Sequence, residues 1–211
     1  MKRDQILQVA AEYFGRNGYE DTKWADVAAA VGIGSTALYH YFESKQHSLY
    51  EIMARSVANF HARFDAIVAT HDDFREALVA VLIDSYNLTD SEVQELRVLA
   101  AEQGLVAVPS SAPREEEARL DARTRMRDLE FAWAMFLTRG MEQGAIPKDD
   151  PRLLTRAVLG LYNSIWHWFR PGGPLSLDDV KRFFIGRQLM VLGLSPELAE
   201  KALAGSASTR D

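Results

Sequence analysis

The fold of this protein is decided by one stretch, residues 22–49, which read TKWADVAAAVGIGSTALYHYFESKQHSL. This stretch predicts two short helices joined by a tight turn, because Gly32-Ile33-Gly34 separates two runs of helical apolar spacing. Thr22 is a candidate N-cap of the first helix and Ser35 of the second, since hydroxyl side chains accept hydrogen bonds from first-turn amides. Ser44 is expected to cap a longer helix that follows and runs to about residue 70.

The second short helix has two different faces. Leu38 and Phe42 lie four residues apart, so both are expected to anchor one face in the core. The other positions carry polar and aromatic side chains that are free to face outward: Ser35, Thr36, Tyr39, His40 and Tyr41. A helix that reads DNA needs this division, because one face holds the fold while the other enters the major groove. The stretch therefore predicts a DNA-binding helix-turn-helix.

The rest of the chain is also helical in its periodicity. Apolar residues recur at helical spacing over residues 3–16, 74–87, 91–104, 115–143, 151–169, 176–192 and 195–204. Loops are predicted at 106–113 and 171–174, where proline, serine and glycine cluster. The pattern indicates an all-α protein with an N-terminal three-helix domain (residues 1–47), a C-terminal helical bundle (residues 48–204) and a disordered tail (residues 205–211).

Residues 3–50 resemble the N-terminal DNA-binding domain of the TetR/AcrR family of bacterial transcriptional regulators. The resemblance rests on the order and spacing of Ile6, Ala10, Phe14, Gly18-Tyr19, Thr22, Ala28, Val31-Gly32-Ile33, Leu38-Tyr39-His40-Tyr41-Phe42, Ser44-Lys45 and Leu49. One departure is Trp24 with Asp26-Val27, where the family usually has isoleucine-alanine-like pairs. The resemblance implies a cytoplasmic homodimer of nine or ten helices per chain, with ligand binding and dimerisation in residues 48–204. It also implies a repressor that an effector releases from a palindromic operator.

The resemblance further implies roles for single residues of the motif. Family positions that contact phosphates are matched by Thr22, Tyr39, Tyr41 and Lys45, to which we add the neighbouring Lys23. Positions that face the bases are matched by Ser35, Thr36, Ala37 and His40. Phosphate contacts set the register on DNA and base contacts set the sequence preference. The alternatives are that Thr22 and Ser35 only cap helices and that Tyr39 or Tyr41 only packs.

The charge of the chain limits how it can bind nucleic acid. The formal net charge is −6, and the first 60 residues hold six basic and seven acidic side chains. This balance excludes a polycation that coats DNA non-specifically. Helix N-termini and hydroxyl groups bind phosphate without formal charge, so a sequence reader is still allowed. We therefore expect a shallow dependence of DNA affinity on salt.

Large apolar side chains are concentrated in the C-terminal half. The candidate ligand-binding residues are the rings of Tyr86, Trp133, Phe136, Tyr162 and Trp166, with Asn163, His167 and Arg170 as polar groups that could orient a ligand. Faces of this kind can enclose a ligand inside a helical bundle. The alternative for each ring is ordinary core packing. Dimerisation is expected through the helices at about 152–169 and 177–192, which the family pairs across the interface.

Residues 142–194 are similar to the branch of the family that is linked to lipid, fatty-acid and sterol catabolism. This similarity implies a bulky apolar effector such as an acyl-CoA thioester. Four arginines could then serve the CoA phosphates: Arg119, Arg123, Arg125 and Arg127. The alternative is a solvated helix face on which these arginines pair with nearby acidic residues.

Several classes of protein are disfavoured. The chain has no cysteine, which excludes disulfides, thiolate metal sites and thiol sensing. It lacks a phosphate-binding glycine loop, an HExxH pair and a nucleophile elbow, so we expect no enzyme, cofactor or metal site. No apolar run reaches the ~18 residues of a membrane span, and the N-terminus does not look like a signal peptide. The remaining alternative is a small-molecule carrier without DNA binding, which leaves residues 22–49 unexplained.

Overall fold

Helices make up the architecture of the computed structural model, which describes residues 2–200 and residue 203. In chain order they are α1 (Lys2–Asn17), α2 (Trp24–Val31), α3 (Ser35–Tyr41), α4 (Lys45–Thr70), α5 (Phe74–Asp84), α6 (Asp90–Glu102), a 3₁₀ helix (Gln103–Ala107), α7 (Pro113–Glu142), α8 (Pro151–Trp168) and α9 (Leu177–Val191). The described residues contain no strand, so the prediction of an all-α protein is confirmed. Within this part of the chain, no helix is both long and apolar enough to span a bilayer. The predicted tail, residues 205–211, lies outside the described residues.

Most helix ends follow the local sequence. Ser44 precedes α4, and its Oγ accepts a hydrogen bond from the backbone amide of His47 at 2.9 Å, as an N-cap should. Gly32 ends α2 in the left-handed conformation with φ 73°, which only glycine adopts without a steric cost. The next amide, that of Ile33, turns back to the carbonyl of Ala28 at 3.0 Å. The predicted glycine turn between α2 and α3 is therefore present.

Two predicted caps are wrong. Lys23, not Thr22, occupies the N-cap position of α2, and its side chain makes no capping hydrogen bond. Gly34 occupies the N-cap position of α3 in the extended conformation that a cap requires, so Ser35 is already inside the helix. The hydroxyl of Thr22 instead donates to carbonyl groups nearby.

The first of two compact units comprises Met1–Asn59 and Leu88–Arg127. Its core buries apolar side chains from the first four helices, among them Ile6, Ala10, Leu38, Phe42 and Leu49. Helix α6 packs tightly on α1 at Gly15, where an added Cβ would lie 2.6 Å from the Cβ of Gln94 and 2.9 Å from its Cα. The absence of a side chain at Gly15 is therefore required for this helix contact.

The second unit comprises Phe60–Asn87 and Asp128–Asp211. Its core is mainly aromatic and includes Phe64, Phe74, Trp133, Phe136, Tyr162 and Trp166, all of which are buried. Gly140 faces the ring of Phe74, whose carbons would lie 2.5–2.8 Å from an added Cβ. The five rings predicted to bind a ligand are thus all buried in this unit, whereas Phe131, Trp168 and Phe183 are exposed.

Candidate nucleic-acid interface and aromatic core

Helix α3 buries one face and exposes the other. Leu38 and Phe42 are fully buried, which confirms that they anchor the helix. The ring of Phe42 packs edge-on against Trp24, with 6.2 Å between the ring centroids, and against His47 at 5.5 Å. The exposed positions of α3 are Ser35, Thr36, Tyr39 and His40, while Ala37 and Tyr41 are half-buried. The structure thus brings the predicted base-facing residues together on one short helix; their contact with DNA stays a prediction.

Thr22 lies inside the protein rather than on this exposed face. Its side chain is buried, and its hydroxyl donates hydrogen bonds to the carbonyls of Gly18 at 2.7 Å and Tyr13 at 3.2 Å. Thr22 therefore closes the loop that follows α1. The adjacent Lys23 is exposed at the start of α2, and its contact with a phosphate stays a prediction.

Lys45 is also occupied within the protein. Its ammonium donates hydrogen bonds to the carbonyls of Tyr19 at 2.7 Å, Thr22 at 3.1 Å and Glu20 at 3.3 Å. It also lies 4.2 Å from the centroid of the Tyr19 ring, a cation–π contact. Burial raises the pKa of the Tyr19 phenol, so this ring stays neutral. Lys45, the first residue of α4, thus stabilises the loop between α1 and α2.

The turn between α3 and α4 is held by a histidine that the sequence did not single out. The Nδ1 atom of His47 accepts a hydrogen bond from the backbone amide of Glu43 at 3.1 Å, and its Nε2 lies 2.8 Å from a carboxylate oxygen of Glu51. This pattern assigns the proton of a neutral ring to Nε2. His47 is buried. Its i, i+4 spacing to Glu51 is the one signal in the sequence for the pair.

Arg3 extends this network from α1 to the end of α3. Its guanidinium pairs with Glu51 and donates a hydrogen bond to the carbonyl of Tyr41 at 2.9 Å. It also lies 4.6 Å from the centroid of the Phe42 ring. The partners are 38 and 48 residues from Arg3 in the chain, so no local pattern could have found these contacts.

The candidate ligand-binding rings are buried in the second unit. Tyr162 contacts Tyr86 and Trp166, with 5.4 Å between ring centroids in both pairs. Trp133 and Phe136 pack edge-on at 6.1 Å. These five rings occupy the aromatic core, where they can pack or line a ligand.

Polar groups in this core are only partly satisfied. The hydroxyl of Tyr162 donates to the carbonyl of Ser85 at 2.8 Å, and that of Tyr86 donates to Gln188 at 3.4 Å. The indole nitrogens of Trp133 and Trp166 are buried, and neither finds an acceptor among the described residues. A buried donor without an acceptor is costly unless another molecule completes it. Among the described residues of this core, the two indoles are thus buried donors without an acceptor, and their role in ligand binding stays a prediction.

The polar ligand candidates and the α7 arginines differ in their exposure. Asn163 is half-buried, and His167 and Arg170 are exposed at the end of α8. Arg119 is buried and pairs with Glu116 at 2.5 Å, and its hydrogen bond holds the pKa of that carboxyl at about 2. The other three arginines are exposed on α7: Arg123, Arg125, which pairs with Asp121 at 2.8 Å, and Arg127. The pair of Arg125 with Asp121 favours the alternative of a solvated, internally paired helix face for the exposed arginines, whereas Arg119 is buried and is not part of such a face.

Two family descriptions match the chain. The description "Bacterial regulatory proteins, tetR family" matches residues 6–49, and "Tetracyclin repressor-like, C-terminal domain" matches residues 88–190. Among curated relatives, the HTH-type transcriptional repressor KstR2 of Rhodococcus jostii RHA1 is 29% identical over 189 residues. The alignment covers 87% of each chain.

Solved structures agree with this assignment. The TetR family transcriptional regulator PfmR of Thermus thermophilus is 30% identical with a TM-score of 0.70, covering 90% of this chain and 97% of PfmR. AibR, solved with isovaleryl coenzyme A and operator DNA, has a TM-score of 0.74 at 23% identity, covering 93% of this chain and 99% of AibR. That likeness establishes the fold. This chain belongs to the TetR family of bacterial transcriptional regulators.

Proposed function

We propose that this protein is a transcriptional repressor that binds a palindromic operator as a homodimer and is released by an apolar effector. The observation that carries the proposal is the division of α3 between buried Leu38 and Phe42 and an exposed face that contains Thr36 and His40. An exposed helix face of small polar side chains, fixed by two apolar anchors, fits a recognition helix in the major groove. We place this activity in the cytoplasm and assign it no catalysis.

The DNA-binding domain is proposed to span residues 1–47. Base contacts are assigned to Ser35, Thr36, Ala37 and His40, and phosphate contacts to Lys23, Tyr39 and Tyr41. Thr22 and Lys45 are proposed to support this interface from behind, because their polar groups bind carbonyls of the α1–α2 region. With the Lys45 ammonium bound inside the protein, the motif has one cation fewer for phosphates, which supports the expected shallow salt dependence.

The homodimer is proposed to form through α8 and α9. Both helices expose large apolar side chains that a monomer would leave in water, including Leu153 with 62% and Phe183 with 56% of its surface accessible. A contiguous exposed apolar surface is typical of an interaction site. Val158 and Leu189 are fully buried within one chain, so they support the interface from the core. Dimerisation must separate two α3 helices by about 34–36 Å, one turn of DNA.

The effector is proposed to bind within residues 48–204, at the aromatic core of the second unit. Trp133 and Trp166 supply large apolar surface and two indole N–H groups that are free to bind an acceptor. A thioester or ketone carbonyl on an apolar body would meet both requirements. The fold relative AibR was solved with isovaleryl coenzyme A, which supports an acyl-CoA effector.

Fluorescence anisotropy with DNA from upstream of the protein's own gene tests DNA binding. We expect Thr36→Ala to weaken operator binding by at least about 30-fold, because each base contact contributes ~1–3 kcal/mol and a homodimer loses two. Thr124→Ala, at an exposed position of α7, is the matched control and is expected to bind like the wild type. A folded wild-type protein that binds no such DNA would instead support the small-molecule carrier.

The effector site is tested by thermal shift with a panel of acyl-CoA thioesters, with free CoA as the control. Trp133→Phe and Trp166→Phe keep most of the apolar ring and remove the N–H donor. We expect both variants to lose affinity for a thioester ligand while operator binding in its absence is unchanged. Equal thioester affinity in all three proteins would remove the indoles from the proposed site.

A further inference from the structure

The last carbonyl of the recognition helix is held from two sides. The carbonyl of Tyr41, the C-terminal residue of α3, accepts hydrogen bonds from Arg3 of α1 at 2.9 Å and from Arg114 of α7 at 2.8 Å. The C-terminal end of a helix carries partial negative charge, so two guanidinium groups are well placed there. Arg114 lies in the first turn of α7 and reaches a carbonyl 73 residues earlier in the chain.

The next residue of α7 binds the same turn through its backbone and its side chain. The backbone amide of Glu115 donates a hydrogen bond to the carboxylate of Glu43 at 2.9 Å. Its own carboxylate accepts a hydrogen bond from the hydroxyl of Ser44. Glu115 is buried, with 8% of its surface accessible. Its partners, Glu43 and Ser44, directly follow the buried anchor Phe42.

These contacts matter because α3 is short. Its seven residues form about two turns, too few for a helix that holds its own orientation in water. Leu38 and Phe42 fix how deep the helix lies, but two anchors on one face still allow it to tilt. Contacts at the C-terminal end of α3, made by Arg114 and Glu115, oppose that tilt.

We propose that Arg114 and Glu115 form an α7 clamp that positions the recognition helix for its operator. The inference rests on the proposed DNA-binding function, and it adds two positioning residues that do not touch DNA. The clamp acts through the Tyr41 carbonyl and the Glu43-Ser44 turn. Its loss lets α3 tilt, which weakens base contacts more than it weakens general attraction to phosphates.

The test compares Arg114→Met with Arg123→Met, a matched change at another exposed arginine of α7. We expect Arg114→Met to lower operator affinity at least 10-fold, to leave affinity for unrelated DNA within about twofold, and so to reduce the ratio of the two. Arg114→Lys keeps a cationic donor and should recover part of this ratio. Arg123→Met should leave the ratio unchanged.

A second measurement does not depend on DNA. Hydrogen exchange followed by mass spectrometry should show faster exchange over residues 38–44 in Arg114→Met and in Glu115→Ala, with Glu117→Ala as control. If Glu115→Ala fails to fold, Arg114→Met carries the test, because Arg114 is exposed and its removal opens no cavity.

Two results separate the clamp from the proposed function. Unchanged exchange together with an unchanged affinity ratio in Arg114→Met would overturn the clamp while operator binding stands. A wild-type protein that binds no operator would overturn the proposed function, and faster exchange in the variants would still support the clamp.

Discussion

Replacement of Lys45 by methionine removes an ammonium that is already bound inside the protein. Its three carbonyl partners, on Tyr19, Glu20 and Thr22, lie 2.7–3.3 Å away. A hydrogen bond to a charged group contributes about 1.5–3 kcal/mol. Because Lys45 is half-buried, water can hydrogen-bond to the carbonyls in the variant and replace part of this stabilisation. We therefore assign about 2 kcal/mol to the three bonds together, and ~0.5–1 kcal/mol to the contact with the Tyr19 ring.

We expect Lys45→Met to be less stable than the wild type and to keep the same salt dependence of operator affinity. For a chain of this size, a loss of about 2–3 kcal/mol lowers the melting temperature by roughly 5–10 °C. Circular dichroism at 222 nm follows the melting. Anisotropy at several salt concentrations gives the slope of operator affinity against salt, which should match that of the wild type.

Lys23→Ala is the matched control, because Lys23 is exposed at the start of α2. It should melt like the wild type but reduce the salt slope by about 2 for a dimer, since each phosphate contact contributes ~0.9. A Lys45→Met protein that melts at the wild-type temperature and shows the smaller salt slope would contradict this assignment. Lys45 would then contact phosphate directly.

Three further predictions concern stability. Gly15→Ala should destabilise the protein by about 1–3 kcal/mol in urea unfolding, because its methyl group would lie 2.9 Å from a backbone Cα of α6 that cannot rotate away; an unchanged midpoint would contradict this packing. The hydrogen bond from Arg119 holds the pKa of Glu116 at about 2, below its ordinary 4.5. The stability that Glu116 contributes is therefore complete above pH 4.5 and is lost as the pH falls towards 2. The difference in free energy of unfolding between the wild type and Glu116→Gln should shrink as the pH falls over that range. Burial raises the pKa of Glu95 although Arg55 lies 2.6 Å away. Arg55→Met should lower the free energy of unfolding by about 1–3 kcal/mol at pH 7 and by less at lower pH, where Glu95 is protonated, and the added change Glu95→Gln should restore most of the loss.

The sequence by itself determined the fold class and the motif. Helical spacing, the Gly32-Ile33-Gly34 turn and the anchors Leu38 and Phe42 depend on residues only a few positions apart, so they can be read along the chain. The Ser44 cap was predictable for the same reason. The two cap errors, at Thr22 and Ser35, arose because several neighbouring residues could accept the same role.

Only the tertiary structure decided which polar side chains of the motif form hydrogen bonds within the protein. Thr22 and Lys45 are residue types that commonly contact phosphates, yet both donate hydrogen bonds to backbone carbonyls of the α1–α2 region. Arg3 and Arg114 have no local signal, yet both hold the end of α3 across 38 and 73 residues of chain. A hydrogen bond depends on distance in space, and the distance between residues far apart in sequence is set only when the helices pack. Local sequence therefore determines the helix-turn-helix, whereas contacts between residues far apart in the chain determine how α3 is held.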